Sequence, residues 1–190
     1  MQQEVKKLNL GCGAYKKEGY TNIDISPERK PEIVHDLNNF PYPFFDNTFE
    51  LIEADHVLEH LKDVFSAMKE IHRISKTGAK IIIHVPHFSR GFSHPDHKRG
   101  FDFTFPYYFN PSFNEGYQGF EFKLKKIKFN WFAQPYLKKN VLSKPIYYIA
   151  FCFGKIVNFL ANLSPIICSK IWCFWVGGFE EIEFIFEAKK

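Results

Sequence analysis

A chain of 190 residues, 45% of them apolar, is long enough to bury a core without disulfide or metal staples and too apolar to stay disordered. Its formal charge of +4 is mild, and no dense Lys/Arg stripe interleaved with aromatics marks a nucleic-acid surface. The four cysteines (Cys12, Cys152, Cys168, Cys173) form no CxxC pair, and Met1-Gln2-Gln3-Glu4 lacks signal-peptide character, so a reduced cytoplasmic setting is expected.

The run Val5–Leu10 predicts a short apolar strand that stops at Gly11-Cys12-Gly13. Two glycines at a strand's C-terminal end let the backbone turn sharply and let a ligand approach bare main chain. Only 14–19 separates them from a second strand, Tyr20–Ile25, which is too short for the helix a parallel crossover usually carries. Asp24, at the tip of that strand, can accept hydrogen bonds from two adjacent ribose hydroxyls. Gly11, Gly13 and Asp24, with Cys12 and Ile25 beside them, therefore predict a pocket for an adenosine-bearing molecule at the rim of a parallel sheet. Lys16 and Lys17 stand where a phosphate-binding loop has its third small residue, which disfavours a pyrophosphate and with it NAD.

Further strands are predicted over Ile33–Leu37 and Phe49–Ala54, the latter placing Asp55 and His56 on the ligand-facing rim. Val64, Phe65, Met68, Ile71 and Ile74 keep helical spacing, with Gly78 as the expected helix terminator. Ala79–Pro86 reads as a strand buried on both sides, and His87–Phe101 as a long, histidine-dense functional loop. A helix is expected from Pro106 to Gly116, a lysine-bearing strand over Glu121–Trp131, and a last strand over Phe179–Phe186, antiparallel to the lysine-bearing one or beside it. Between those two strands, 141–178 is almost wholly apolar, with Lys144, Lys155 and Lys170 its only charges. It contains no stretch of about twenty residues free of charge and proline, so a membrane-spanning helix is not expected. An interfacial helical hairpin, a cap over the active site and a homodimer surface are the alternatives.

The segments Leu8-Asn9-Leu10-Gly11-Cys12-Gly13, Asn22-Ile23-Asp24-Ile25, Val34-His35-Asp36-Leu37, Phe45–Glu50 and His56-Val57-Leu58-Glu59-His60-Leu61 together resemble class I S-adenosylmethionine-dependent methyltransferases. The similarity is to small members with a shortened first crossover and covers roughly residues 5–105. It implies an α/β fold, a doubly wound, mostly parallel seven-stranded Rossmann-like sheet, here one domain over 1–190 with 141–178 as an apolar helical insert or cap before the last, antiparallel strand. It also implies that Gly11 and Gly13 admit the methionine and ribose of S-adenosylmethionine, that Asp24 holds the ribose diol, and that Asp36 with Leu37 reads adenine. An acceptor is expected over Asp55, His56, His87, His94 and His97. His97, His94 and His56 are the catalytic candidates, since a histidine near neutrality can take a hydroxyl proton, while Lys98 and Arg99 suit an anionic group. Glu59-His60 suits a helix cap or the methionine end of the cofactor.

The expected acceptor is a small molecule, a glycan or a lipid-linked compound, with peripheral contact at the inner face of the membrane through 141–178. Competing readings are a binding module that has lost catalysis and, less favoured, an NAD-dependent oxidoreductase. No metal is expected: His84-x-x-His87 and His94-x-x-His97 supply four imidazoles, but His84 falls inside an apolar strand, where its ring is expected to meet packing or the cofactor, and neither a cysteine partner nor HExxH is present.

Overall fold

The computed structural model describes residues 6–91 and 94–190; Val5, at the start of the predicted first strand, and Phe92 and Ser93 of the histidine loop lie outside the described residues. In chain order the main elements are β1 (Lys7–Leu10), β2 (Thr21–Asp24), β3 (Ile33–Val34), β4 (Phe49–Asp55), α1 (Val64–Ile74), β5 (Ser75–Pro86), α2 (Phe88–Gly91), β6 (Glu121–Asn130), α3 (Pro135–Lys138), α4 (Lys144–Leu163), α5 (Pro165–Trp175, with a π-turn over Cys168–Trp172) and β7 (Glu181–Lys189). The sheet order is β3-β2-β1-β4-β5-β7-β6, and β7 alone among the seven runs against the others. The mostly parallel α/β architecture, with an apolar helical segment ahead of the reversed strand, is thus observed.

One face of the sheet carries the core. Leu8, Leu10, Ile52, Ala54, Ile81, Ile83, Phe184 and Phe186 alternate inward and are buried. Helix α1 covers this face with Val64, Ala67, Met68, Ile71 and Ile74. Asp63 begins α1, its Oδ1 accepting from the backbone N–H of Phe65 and Ser66 at 3.0 Å, so the cap is Asp63 rather than Glu59. Gly78 does not end the helix either. The chain passes from Ile74 straight into β5 at Ser75, whose Oγ donates to the Ile71 carbonyl, and Gly78 (φ +79°) sits where the β4–β5 register shifts. The predicted helix over 106–116 is instead a short 3-10 turn, Phe105–Phe109. Its phenylalanines extend the apolar layer: Phe105 meets Phe184 with ring centroids 5.5 Å apart and Phe109 meets Phe186 at 6.0 Å.

The opposite face is more polar. Beside β1 and β2, where the crossover is too short for a helix, the buried pair Asn9 and Asn22 stitches the 14–20 turn to the sheet. Asn9 Nδ2 donates to Asn22 Oδ1 (2.8 Å) and to the Tyr15 carbonyl (3.2 Å); Asn22 accepts from Lys17 N–H and returns a bond to the Lys17 carbonyl. Across β4, β5, β7 and β6 the same face presents Asp55, His84, Glu183 and Lys128 in register. His84, expected within packing, is therefore only half-buried in β5, which is fully covered on its other face alone.

Edge strand β6 is closed by α4. Asn158 Oδ1 accepts from Trp131 N–H (2.7 Å), and Asn162 Oδ1 accepts from Phe129 N–H (2.8 Å) while its Nδ2 donates to the Phe129 carbonyl (3.0 Å). Gly154, Val157 and Ala161 pack on the same side of α4.

Candidate active site

A cleft of about 700 Å³ opens at the C-terminal ends of β1 and β2, lined by Gly11, Asp24, Ile25, Asp36, Leu37, His56 and His60 among others. Gly11 has φ +62°, and a Cβ there would stand 2.5 Å from Val57 Cγ2, so only glycine fits. Asp24 is held in place from below: its Oδ2 accepts from Gly13 N–H (2.7 Å) and its Oδ1 from Ser26 N–H (2.9 Å), leaving further acceptor capacity on both oxygens. Asp36 Oδ1 accepts twice from Asn38, through the backbone N–H and the side-chain amide, which holds this carboxyl below its usual range. Leu37 forms the buried floor.

The ground beyond the glycines decides which ligand fits. Residues 14–20 form turns and no helix, so no helix N-terminus faces the cleft after β1. Bare backbone, one seated carboxylate and a second carboxylate beside an apolar floor suit a nucleoside without phosphates.

A second cavity of about 360 Å³ lies over the ends of β4 and β5, lined by His56, Pro86, Arg90, His94, His97, Ala133, Gln134, Lys138 and Glu180. His56 lines both cavities and so stands at their junction. It holds φ +53°, with Nδ1 3.2 Å from Glu59 Oε1 and Nε2 3.0 Å from Glu181 Oε2. Burial alone would lower its pKa, but the two carboxylates outweigh it and raise the imidazole to about 9. A third, mainly apolar cavity of about 480 Å³ shares Arg90, Lys138 and Glu180 with the second and continues past Trp131, Phe132, Leu137 and Leu142 to Ala150 on α4.

The family profile described as "Methyltransferase domain" matches residues 8–83, the stretch that builds the first cleft and its floor. That match covers the residues around the cleft and less than half of the chain. Solved structures share the fold at low identity. A SAM-dependent methyltransferase from Archaeoglobus fulgidus is 18% identical (TM-score 0.56, covering 96% of this chain and 86% of that one). An S-adenosylmethionine-dependent methyltransferase from Mesorhizobium loti is 11% identical (TM-score 0.57, covering 97% and 91%). A candidate sarcosine dimethylglycine methyltransferase from Galdieria sulphuraria is 17% identical (TM-score 0.60, covering 99% and 79%). No curated protein matches the sequence.

S-adenosylmethionine is the cofactor named for solved proteins that share this fold, and Gly11, Asp24, Ile25, Asp36 and Leu37 line the cleft that would hold it here. Three other residues from the same sequence pattern do not line it: Gly13, whose N–H is spent on Asp24, Cys12 and Asp55. Cys12 is buried in the core, its thiol pKa pushed up by burial and by Asp24. Asp55 points to the polar sheet face, where the hydrogen bond from His84 chiefly holds its carboxyl below the usual range. His84 stands between Asp55 (3.5 Å) and Glu183 (3.1 Å); burial opposes its charge, yet the two carboxylates raise it to about 10.

The histidines expected to meet the acceptor divide into distinct chemical types. His87 is fully buried between Ser89 Oγ (2.7 Å) and Ser169 Oγ (3.1 Å), lines neither cavity, and is pushed down to about 4 by burial. His94 and His97 stack 4.9 Å apart in the second cavity. His97 Nδ1 donates to the Gly91 carbonyl (2.6 Å), which leaves Nε2 of the neutral ring as an acceptor, whereas His94 Nδ1 accepts from Asp96 N–H (3.3 Å) and so carries its proton on Nε2. Neither Lys98 nor Arg99 lines that cavity: the Lys98 backbone N–H donates to the Glu59 carbonyl and the Arg99 guanidinium to the Lys62 carbonyl, fastening the loop to the turn after β4. The Arg and Lys side chains lining the second cavity are Arg90 and Lys138, both within ion-pair reach of Glu180. Sequence reasoning did not single them out, because 133–138 reaches the cavity only through the return of the chain after β6.

Proposed function

We propose that this methyltransferase acts on the polar head of an amphiphilic acceptor, lipid-linked or bearing a glycan, at a membrane surface. The carrying observation is the adjacency of three cavities that share walls: a nucleoside cleft, a polar chamber sharing His56 with it, and an apolar cavity toward α4 sharing Arg90, Lys138 and Glu180 with that chamber. The cofactor supplies an already activated methyl group, so the protein's work is positioning and exclusion of water. Asp24 and Asp36 orient the nucleoside, and Arg90, Lys138 and Gln134 hold the acceptor head.

The outer side of α4 and α5 supports the location. Ile146, Ile149, Phe153, Ile156, Leu163 and Trp175 are exposed there, more than is usual for a surface facing water. By length and composition α4 is apolar enough to cross a membrane, contrary to expectation, but Asn158 and Asn162 bind it to β6, which favours lying in the interface. A radiolabelled methyl donor incubated with total membrane lipid extract should place label in the organic phase. Label found only in water-soluble small molecules would overturn the acceptor assignment. Ala150→Trp, which fills the apolar cavity, should lower kcat/KM about tenfold or more for the extractable acceptor and leave cofactor Kd unchanged.

A further inference from the structure

Glu59 belongs to no strand or long helix, yet its side chain is completely buried. Its Oε1 faces His56 Nδ1 at 3.2 Å; its Oε2 has no hydrogen-bond partner, the one buried side-chain polar atom among the described residues left in that condition. An unpartnered buried carboxylate oxygen is costly, so the fold retains it against a penalty that some ligand would remove. A carboxylate oxygen of Glu59 and ring nitrogens of His60 and His97 lie within 4.8 Å of one another. Both rings are set by backbone carbonyls: His60 Nδ1 lies 3.3 Å from the Asp96 carbonyl and His97 Nδ1 lies 2.6 Å from that of Gly91. A carbonyl can only accept, so each neutral ring carries its proton on Nδ1 and keeps its Nε2 lone pair free. Metal-ligating histidines are oriented in this way, by a carbonyl accepting from the other ring nitrogen. His94, stacked on His97, has the opposite tautomer and falls outside the set. The other close group, Asp55, His56 and Glu181, is already occupied, since both nitrogens of His56 are bonded to carboxylates.

We propose that Glu59, His60 and His97 bind a divalent transition-metal ion of the zinc class in the partition between the nucleoside cleft and the acceptor chamber. Two imidazoles and one carboxylate are a known open zinc set, leaving a fourth position for an oxygen ligand. Donors around a tetrahedral ion at about 2.0 Å stand about 3.3 Å apart; His97 Nε2 and Glu59 Oε1 are 3.9 Å apart, so the ion would draw all three donors inward. The site stands apart from the acceptor assignment, because it is read without cofactor or acceptor. After metal stripping and dialysis against Zn2+, elemental analysis should give one zinc per chain, and Co2+ should give the d–d absorption of a low-coordinate site. His60→Ala and His97→Ala should each weaken Co2+ binding at least tenfold, with His35→Ala as an unaffected histidine control. Glu59→Gln should do the same and, if it fails to fold, the two histidine variants still decide the matter. No zinc retention, or Co2+ binding equally strong in the His60→Ala/His97→Ala double variant, would overturn the site, and the lipid-extract assay would be untouched by that result.

Discussion

Asp24 accepts from two backbone N–H groups and keeps spare acceptor capacity on both oxygens, so its replacement is read in cofactor affinity with the urea midpoint measured alongside. Asp24→Ala should weaken S-adenosylmethionine binding by about 1–3 kcal/mol in calorimetry, the value of charge-assisted hydrogen bonds to the ribose. Affinity equal to the wild type would remove Asp24 from the cofactor site. His87 tests a different property. Buried between two serines, it is held near 4 where an unfolded chain has about 6.5, so the folded state prefers the neutral ring. Its contribution is complete above about pH 6.5 and is lost progressively as pH falls toward 4, by roughly 3 kcal/mol in all. Urea unfolding at pH 7 and pH 5 should show this loss in the wild type and a smaller one in His87→Gln. The glycine–aspartate pattern was legible at this scale because backbone freedom and one carboxylate are local properties. The roles of the histidines were not, because each depends on a partner distant in sequence: Glu181 for His56, Glu183 for His84, Ser169 for His87.

Among the elements, the parallel strands and α1 could be read from apolar runs and helical spacing, whereas the boundaries failed where side chains replaced the usual devices. Asp63 caps α1 in place of Glu59, and Ser75 turns the chain directly into β5. The first crossover shows the same substitution: Asn9 and Asn22 do with four hydrogen bonds what the helix of a parallel crossover usually does by apolar packing. Asn22→Ala should leave the Lys17 N–H and carbonyl without partners and destabilise the fold by about 2–3 kcal/mol, measurable as a shift in urea midpoint. In helix α4, Asn158 and Asn162 are spaced one turn apart in an otherwise apolar run, a signal of a docking face that hydropathy alone passes over. Their double replacement by alanine should raise amide exchange along β6 and α4 while leaving β1–β4 protected.

For the whole molecule, the apolar surface and the cavities must be considered together. α4 spans about 30 Å and presents its bulky side chains outward, with α5 adding Phe174 and Trp175. Lys155, over the ring of Phe151, and Lys170, paired with Asp102, are positioned to reach headgroups along this edge. Flotation with vesicles containing anionic lipid should recover the wild type, and Ile149→Glu/Ile156→Glu should stay in the aqueous fraction with unchanged cofactor affinity. Equal recovery of both would assign the surface to a protein contact, and analytical ultracentrifugation would then report whether a second copy covers it.

The clasp formed by Asn158 and Asn162 has a mechanical consequence. Because the two amides and the inward residues Gly154, Val157 and Ala161 join the helix to the sheet, its outward greasy flank is not needed to keep the domain assembled. Docking onto a bilayer would then require no hinge to open and no helix to be released. The enzyme could arrive at and leave its substrate plane as a rigid body, with the methyl donor already seated.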